Sequence, residues 1–295
     1  MNKFLKKGAK MEKYNKTGYL SANFKIFHLI DKKPIKVDFH YHDFHKILIH
    51  LSGNVSYCIE GRTYSLNPND IIFVNAGEVH RPVINDSSPY ERIIVYISKD
   101  FLKDYQKKNN DLSLCFKRAK EKQAHLIRVP SFFNTKLGSI VKELESSLTD
   151  EEYANELYHE ILFLEFMIQL NRAAIHDGIE YISTSSSNNK AIAIIDYLNA
   201  NLTSDISIDT LAENFYISRY HLMHSFKEET GYTIGGYITI KRLALAQQLI
   251  ADGHSISEAC YACGFKNYST FSRAYKKTFG CSPRQKNPTT APLRY

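Results

Sequence analysis

Residues 208–231, IDTLAENFYISRYHLMHSFKEETG, and residues 256–280, ISEACYACGFKNYSTFSRAYKKTFG, carry one pattern written twice. Leu222, Phe226, Lys227 and Gly231 map onto Phe271, Tyr275, Lys276 and Gly280 at a constant offset of 49 residues. In each copy a short apolar-periodic segment (Ile208, Leu211, Ala212 and Phe215; Ile256, Ala259 and Cys260) is followed by a break and a small polar residue, Ser218 or Asn267. Such a residue caps the start of a second helix. Leu222 with Phe226, and Phe271 with Tyr275, then fall at i and i+4 and share one buried face. Gly231 and Gly280 stop the helices, and Lys227 and Lys276 sit in their last turns, where cations suit the dipole. Ser255 with Glu258 has capping-box spacing. This is the grammar of two helix-turn-helix units in tandem, and the exposed face of each second helix fits a DNA major groove.

At these positions the chain resembles the AraC/XylS family of transcription regulators. The likeness rests on Leu211-Ala212, Ser218, Leu222, Phe226-Lys227, Tyr237, Arg242, Ile256, Ala259, Gly264-Phe265, Phe271, Lys276, Gly280 and Pro283. It departs from the family after Pro283, where Arg284-Gln285-Lys286-Asn287 replaces the usual Tyr-Arg pair. The resemblance implies a regulator that binds double-stranded promoter DNA. Its base-reading positions fall on Arg219, Tyr220, Met223 and His224 in the first unit and on Tyr268, Ser269, Thr270, Ser272 and Arg273 in the second. Arg273 suits a bidentate guanine contact and Thr270 a thymine methyl, while Lys227 and Lys276 suit phosphate. The segment 234–251 would span roughly 27 Å as a helix, at about 1.5 Å per residue. That approaches the ~34 Å between major-groove entries one turn apart.

The length of 295 residues allows two domains, and 43% hydrophobic with 23% charged residues describes a globular chain. Net charge is +7, of which +4 lies from Lys190 onward, 12 Lys and Arg against 8 Asp and Glu. That mild basic bias is compatible with nucleic acid. No apolar run approaches the roughly 18 residues needed to span a bilayer. The start carries six Lys before residue 18 and no signal-like apolar core, so a cytoplasmic location and no membrane partner are expected; Met11 is an alternative start. Five scattered Cys argue against a disulfide framework, and the lone Cys260-x-x-Cys263 is expected to be packed.

Toward the N-terminus, residues 1–22 read as a basic arm and residues 23–130 as short strands separated by turn signals such as Ser52-Gly53-Asn54, Glu60-Gly61 and Asn67-Pro68-Asn69. This texture predicts a β-sandwich or small barrel. Within it His40-Tyr41-His42, Lys46 and Gly53, then Asn69-Asp70, Gly77 and His80, resemble the two motifs of the cupin barrel. The likeness implies a ligand-sensing barrel. Metal-binding cupins carry Glu at the position of Lys46, so no metal or other cofactor is expected, and His40, His42 and His80 are read as lining a ligand cavity. A three-His metal set remains the alternative, and with it a cupin metalloenzyme, oxygenase or isomerase, fused to a DNA-binding domain. A Lys directed inward needs an internal Asp or Glu, or an anionic group on the ligand. The second option points to a small carboxylate or a sugar-like effector.

Residues 131–177 predict a helical hairpin. Leu137, Ile140, Val141, Leu144 and Leu148 stripe its first helix, and Tyr153, Leu157, Ile161, Leu164 and Ile168 its second, capped by Thr149 and Glu152. Leu162, Phe163, Phe166 and Met167 widen the second surface enough to suggest a homodimer. Residues 178–189 read as a linker and 190–295 as the DNA-binding domain. The fold class is therefore α+β in two domains: a cupin-like β-barrel with a helical hairpin, then an all-α domain with two helix-turn-helix units. No catalytic residue is assigned, and an activator of this kind would also meet RNA polymerase.

Overall fold

The computed structural model describes residues 20, 22–33, 35–107, 110–129, 131–149, 151–175, 179–184, 186–187 and 189–285. The basic arm expected over 1–22 falls almost wholly outside them. Strand β1 (Phe24–Asp31) is joined to β2 (His45–Ser52) by the long segment 32–44, after which β2, β3 (Val55–Ile59), β4 (Arg62–Ser65), β5 (Asp70–Val74), β6 (His80–Ile84) and β7 (Tyr90–Ile97) follow one another through short turns. The segment expected as a loop with one helix holds α1 (Lys99–Asp104), the short hairpin β8 (Gln106–Lys107) and β9 (Asn110–Asp111), α2 (Leu114–Glu121) and β10 (Leu126–Arg128). Helices α3 (Lys136–Ser147) and α4 (Asn155–Ile175) form the hairpin. Within the expected linker, β11 (Glu180–Ile182) pairs with β10, and β12 (Ser186–Ser187) pairs with β4.

Beside the β8–β9 pair, the described residues form two larger sheets, one ordered β1-β7-β2-β5-β10-β11 and one ordered β12-β4-β3-β6. The architecture is an open two-sheet sandwich rather than a closed barrel, as the strand-and-turn texture allowed. Period-two alternation sorts the side chains of the larger sheet between two cores. Ile47, Ile49, Ile71, Phe73, Ile93 and Val95 pack under α1 to α4, while Leu48, Ile72, Ile94 and Tyr96 meet Tyr57, Ile59 and Tyr64 of the smaller sheet. Lys46 lies two residues from Leu48, on the inter-sheet face.

Helix α4 corrects one expectation. Its buried side is Leu162, Phe163, Phe166, Met167, Leu170 and Ala174. Most of the stripe Tyr153, Leu157, Ile161, Leu164 and Ile168 lies away from that side: Leu157 is 59% and Ile161 52% exposed, Ile168 and Tyr153 are also exposed, and Leu164 is half-buried against the core. The helix begins at Asn155, and the Thr149 hydroxyl donates back to the Ser146 carbonyl instead of capping it.

The C-terminal helices are α5 (Asn189–Ala200), α6 (Ile208–Asn214), α7 (Arg219–Thr230), α8 (Ile234–Ala251), α9 (Ile256–Ala262) and α10 (Tyr268–Phe279). Their local chemistry is as read. Ser218 accepts from the His221 N–H and Asn267 from the Thr270 N–H, and Ser255 with Glu258 forms the full capping box. Gly231 and Gly280 end α7 and α10 at φ 74, a left-handed conformation that costs a glycine nothing. Cys260, Cys263 and Cys281 are buried and free, as are Cys58 and Cys115. Each unit has its own core, Leu222 and Phe226 in the first and Phe271 and Tyr275 in the second. The first core continues into the sandwich domain, because Tyr41 and Val79 are buried in it beside Ile194, Leu198 and Tyr237.

Candidate functional site: a DNA-reading face and a cavity at the domain junction

The expected base-reading side chains lie on α7 and α10. Arg219, Tyr220, Met223, His224, Ser269, Thr270 and Arg273 are exposed, as are Lys227 and Lys276. Tyr268 and Ser272 are half-buried, and Tyr268 packs against Phe271 at 6.0 Å between ring centroids, so part of its role is structural. Local partners orient several of the others. Arg219 pairs with Asp209, Tyr220 stacks on His224, and Arg273 Nε donates to the Ser269 carbonyl at 3.3 Å. The connecting helix α8 is continuous over its 18 residues, which fixes the two units relative to each other.

A cavity of about 700 Å³ opens where α7 meets the sandwich. The sandwich contributes the strap 35–40, with Lys46, Leu48, Tyr57, Arg81, Arg92 and Ile94; the DNA-binding domain contributes Lys227, Glu228, Gly231 and Tyr232. Phe39 seals one side by packing directly onto Gly231, where an added Cβ would lie 2.7 Å from the Phe39 Cβ. The Tyr232 hydroxyl donates to the Phe39 carbonyl at 3.3 Å. Cations dominate the walls. Arg92 is paired with Asp31 at 2.7 Å, whereas Arg81 lies over the Phe39 ring and its Nε has no partner among the described residues.

Lys46 is buried, and its ammonium donates to the Tyr57 hydroxyl at 2.9 Å. Among the described residues no carboxylate lies within ion-pair distance of it, so the internal-acid option is not what the fold provides. Burial, with the Arg92 charge adding to it, pulls its pKa down to about 7.

His40, His42 and His80 come together as the motif spacing implied. The strap meets β6 through mutual backbone hydrogen bonds between His40 and His80, and the three rings lie 4.4 to 5.1 Å apart. His40 Nδ1 donates to the Asp38 carbonyl at 2.8 Å and His80 Nδ1 to the Glu78 carbonyl at 2.9 Å. Burial, then the Lys46 charge, lowers His40 to about 4 despite the Asp38 bond. His42 and His80 are held well below the ordinary value by burial first and by His40 and Lys46 next, so all three imidazoles are neutral at pH 7.

Sequence reasoning missed Arg81, Arg92 and the domain-junction contacts. Arg92 was findable, since it alternates with Tyr90, Ile94 and Tyr96 on one face of β7. The contacts across the junction carry no local signal. Glu60 occupies a positive-φ turn with Gly61 and accepts from the Lys241 ammonium at 2.9 Å, the Val79 N–H at 2.6 Å and the Tyr237 hydroxyl. Arg62 pairs with Asp196 and Lys103 with Asp252. Burial alone would raise the Glu60 carboxyl, but the Lys241 charge and these hydrogen bonds outweigh it and hold it below the ordinary value.

Comparison with known proteins gives the same division of the chain. Residues 30–166 match an AraC-like ligand-binding domain and residues 211–287 a helix-turn-helix domain. The transcriptional activator RhaS of Shigella sonnei (strain Ss046) is 25% identical over 264 residues, covering 86% of this chain and 90% of that protein. RhaS of Enterobacter sp. (strain 638) is 24% identical over 253 residues, covering 83% and 86%. Among solved structures, ToxT from Vibrio cholerae O395 aligns over 88% of this chain and 95% of its own at 16% identity, with a TM-score of 0.35. No helix among the described residues is long and apolar enough to cross a membrane. With a ligand-binding sandwich and a tandem helix-turn-helix domain in this order, and both matched, the chain belongs to the AraC family of transcription regulators.

Proposed function

We propose that the protein is a cytoplasmic regulator whose promoter affinity responds to a small anionic effector bound in the domain-junction cavity. The observation that carries this reading is the cavity's composition: a buried Lys46 without a carboxylate partner among the described residues, Arg81 also in the lining, and Lys227 contributed by the DNA-binding domain. An acid there would satisfy the ammonium and touch both domains at once, so the occupied and empty states differ in what they hold against α7. A small carboxylate fits these cations best; the aliphatic and aromatic walls take the rest of the molecule. A neutral sugar is the competing effector. A thermal-shift panel of carboxylates and sugars on wild type and Lys46→Met separates them. Carboxylates are expected to raise Tm in wild type by binding the folded state and to lose most of that effect in Lys46→Met. Stabilisation by neutral sugars alone, equal in both proteins, would sink the reading.

In this reading Arg219, Tyr220, Met223 and His224 enter one major groove, and Tyr268, Ser269, Thr270, Ser272 and Arg273 the next, with Lys227 and Lys276 near phosphate. RNA polymerase is the further partner if the protein activates, as its RhaS relatives do by name. The alternative of a cupin metalloenzyme finds no support among these relatives, which are transcriptional activators by name.

The protein acts as a homodimer in this reading. Leu157, Ile161, Ile168 and Ile175 run along the exposed side of α4 close to the 3.5-residue spacing of a helix seam. Ile161→Glu is expected to yield monomer by sedimentation while leaving Tm nearly unchanged, because the residue is exposed within one protomer. An unchanged dimer would place the interface elsewhere.

A further inference from the structure

We propose that His40, His42 and His80 bind a divalent transition-metal ion whose coordination is completed by an anion from the adjacent cavity, held there by Lys46. Three features of the cluster support this. The ligand nitrogens of all three side chains lie within 4.8 Å of one another, so a modest side-chain adjustment brings them to the ~2.0–2.1 Å metal–nitrogen distance. The Nδ1 atoms of His40 and His80 are occupied by backbone carbonyls, which fixes the tautomer and leaves each Nε2 with its lone pair free, the outer-shell arrangement of metal-ligating imidazoles. Finally, both nitrogens of His42 and the Nε2 of His80 are buried without a hydrogen-bond partner among the described residues. Buried polar atoms are rarely left so, and an ion accounts for them together.

Lys46 argued against a metal at the level of sequence, because it stands where a carboxylate ligand would. The geometry gives it a different role. The cluster reaches the cavity through His40, and Lys46 and Tyr57 also line that cavity, with the Tyr57 ring stacked near His80 at 6.0 Å. A divalent ion on three neutral imidazoles beside an ammonium concentrates positive charge in a buried space, and an anion in the open coordination position offsets it. Lys46 then acts as the second anchor of that anion. Metal and anion binding should therefore be mutually reinforcing, as linkage requires. The anion's role rests on the effector reading given above, whereas ion binding by the three imidazoles does not.

The test uses untagged full-length protein, titrated calorimetrically with Ni(II) or Zn(II) in the absence and presence of acetate, with bound metal measured after desalting. Wild type is expected to bind one ion per chain, with acetate tightening binding by at least about tenfold. His42→Phe preserves packing on Phe44 and removes only nitrogens that had no partner. It is expected to fold at least as stably as metal-free wild type while losing the ion and the metal-induced rise in Tm. Lys46→Met is expected to keep the ion and lose the response to acetate. No binding by wild type, or equal binding by wild type and His42→Phe, overturns the site. Metal binding indifferent to acetate overturns the anion's part in it. A metal result of either sign leaves the carboxylate thermal-shift comparison to stand or fall separately.

Discussion

Lys241→Met in the full chain is expected to lower stability by about 3–5 kcal/mol at neutral pH, the cost of leaving one partner of a buried ion pair uncompensated. Lys241 and Glu60 are 2.9 Å apart with side chains 12% and 6% exposed, and the ammonium also donates to the Gly77 carbonyl at 2.8 Å. Removing the cation strands a carboxylate between two domains, where water cannot reach it. The double variant Glu60→Gln/Lys241→Met removes both charges and should recover most of the loss, which a double-mutant cycle by urea denaturation measures. The pH dependence has a definite sign. In wild type the Glu60 carboxyl is depressed, so its contribution is present above its unfolded pKa of about 4.3 and is lost as pH falls through the folded value. In Lys241→Met burial is opposed only by the Val79 and Tyr237 hydrogen bonds, the carboxyl rises from its wild-type position, and protonation relieves it. The variant's deficit should shrink between pH 7.5 and pH 4. A deficit under about 1 kcal/mol at pH 7.5 would mean that the junction is not held by this pair. Because α8 carries Lys241 and links the two units, the pair ties that helix to the sandwich domain.

The tandem units were legible because their signals are local. A cap such as Ser218 or Asn267 bonds an N–H three residues away, and Gly231 and Gly280 answer a backbone requirement of their own positions. The imidazole cluster was legible for a related reason: motif spacing placed His40, His42, Lys46 and His80 on one inner surface, and the sheets keep them there. The orientation of α4 was not legible, since apolar residues cover most of its circumference and periodicity cannot say which arc meets the sheet. The arc of Phe163 faces inward, where its ring stacks on Phe24 at 3.7 Å between centroids and lies 5.7 Å from Phe101. The junction was least legible. Glu60 and Lys241 are separated by 181 residues, and nothing near either one announces the other. Glu60-Gly61 reads as a turn, which it is, but the turn also supplies the acid that receives α8.

DNA recognition makes a prediction of its own. Arg273→Ala is expected to weaken specific binding by about 1–3 kcal/mol and to relax preference at one base pair, as loss of a bidentate base contact does. Lys276→Ala should weaken all sequences alike and flatten the salt dependence, because a phosphate contact carries no sequence information. Both side chains are exposed in the last three turns of α10, so neither substitution should disturb the Phe271 and Tyr275 core. The decisive measurement is the affinity of the full chain for a duplex from its own upstream region and for a random duplex, by gel shift or anisotropy across a salt series. Log K is expected to fall linearly with log salt on both duplexes. The upstream duplex should bind tighter by about 10³-fold or more, and Arg273→Ala should lower that ratio while Lys276→Ala preserves it. Equal affinity for the two duplexes at every salt concentration, or an equal loss on both in Arg273→Ala, would contradict sequence-specific reading by these helices.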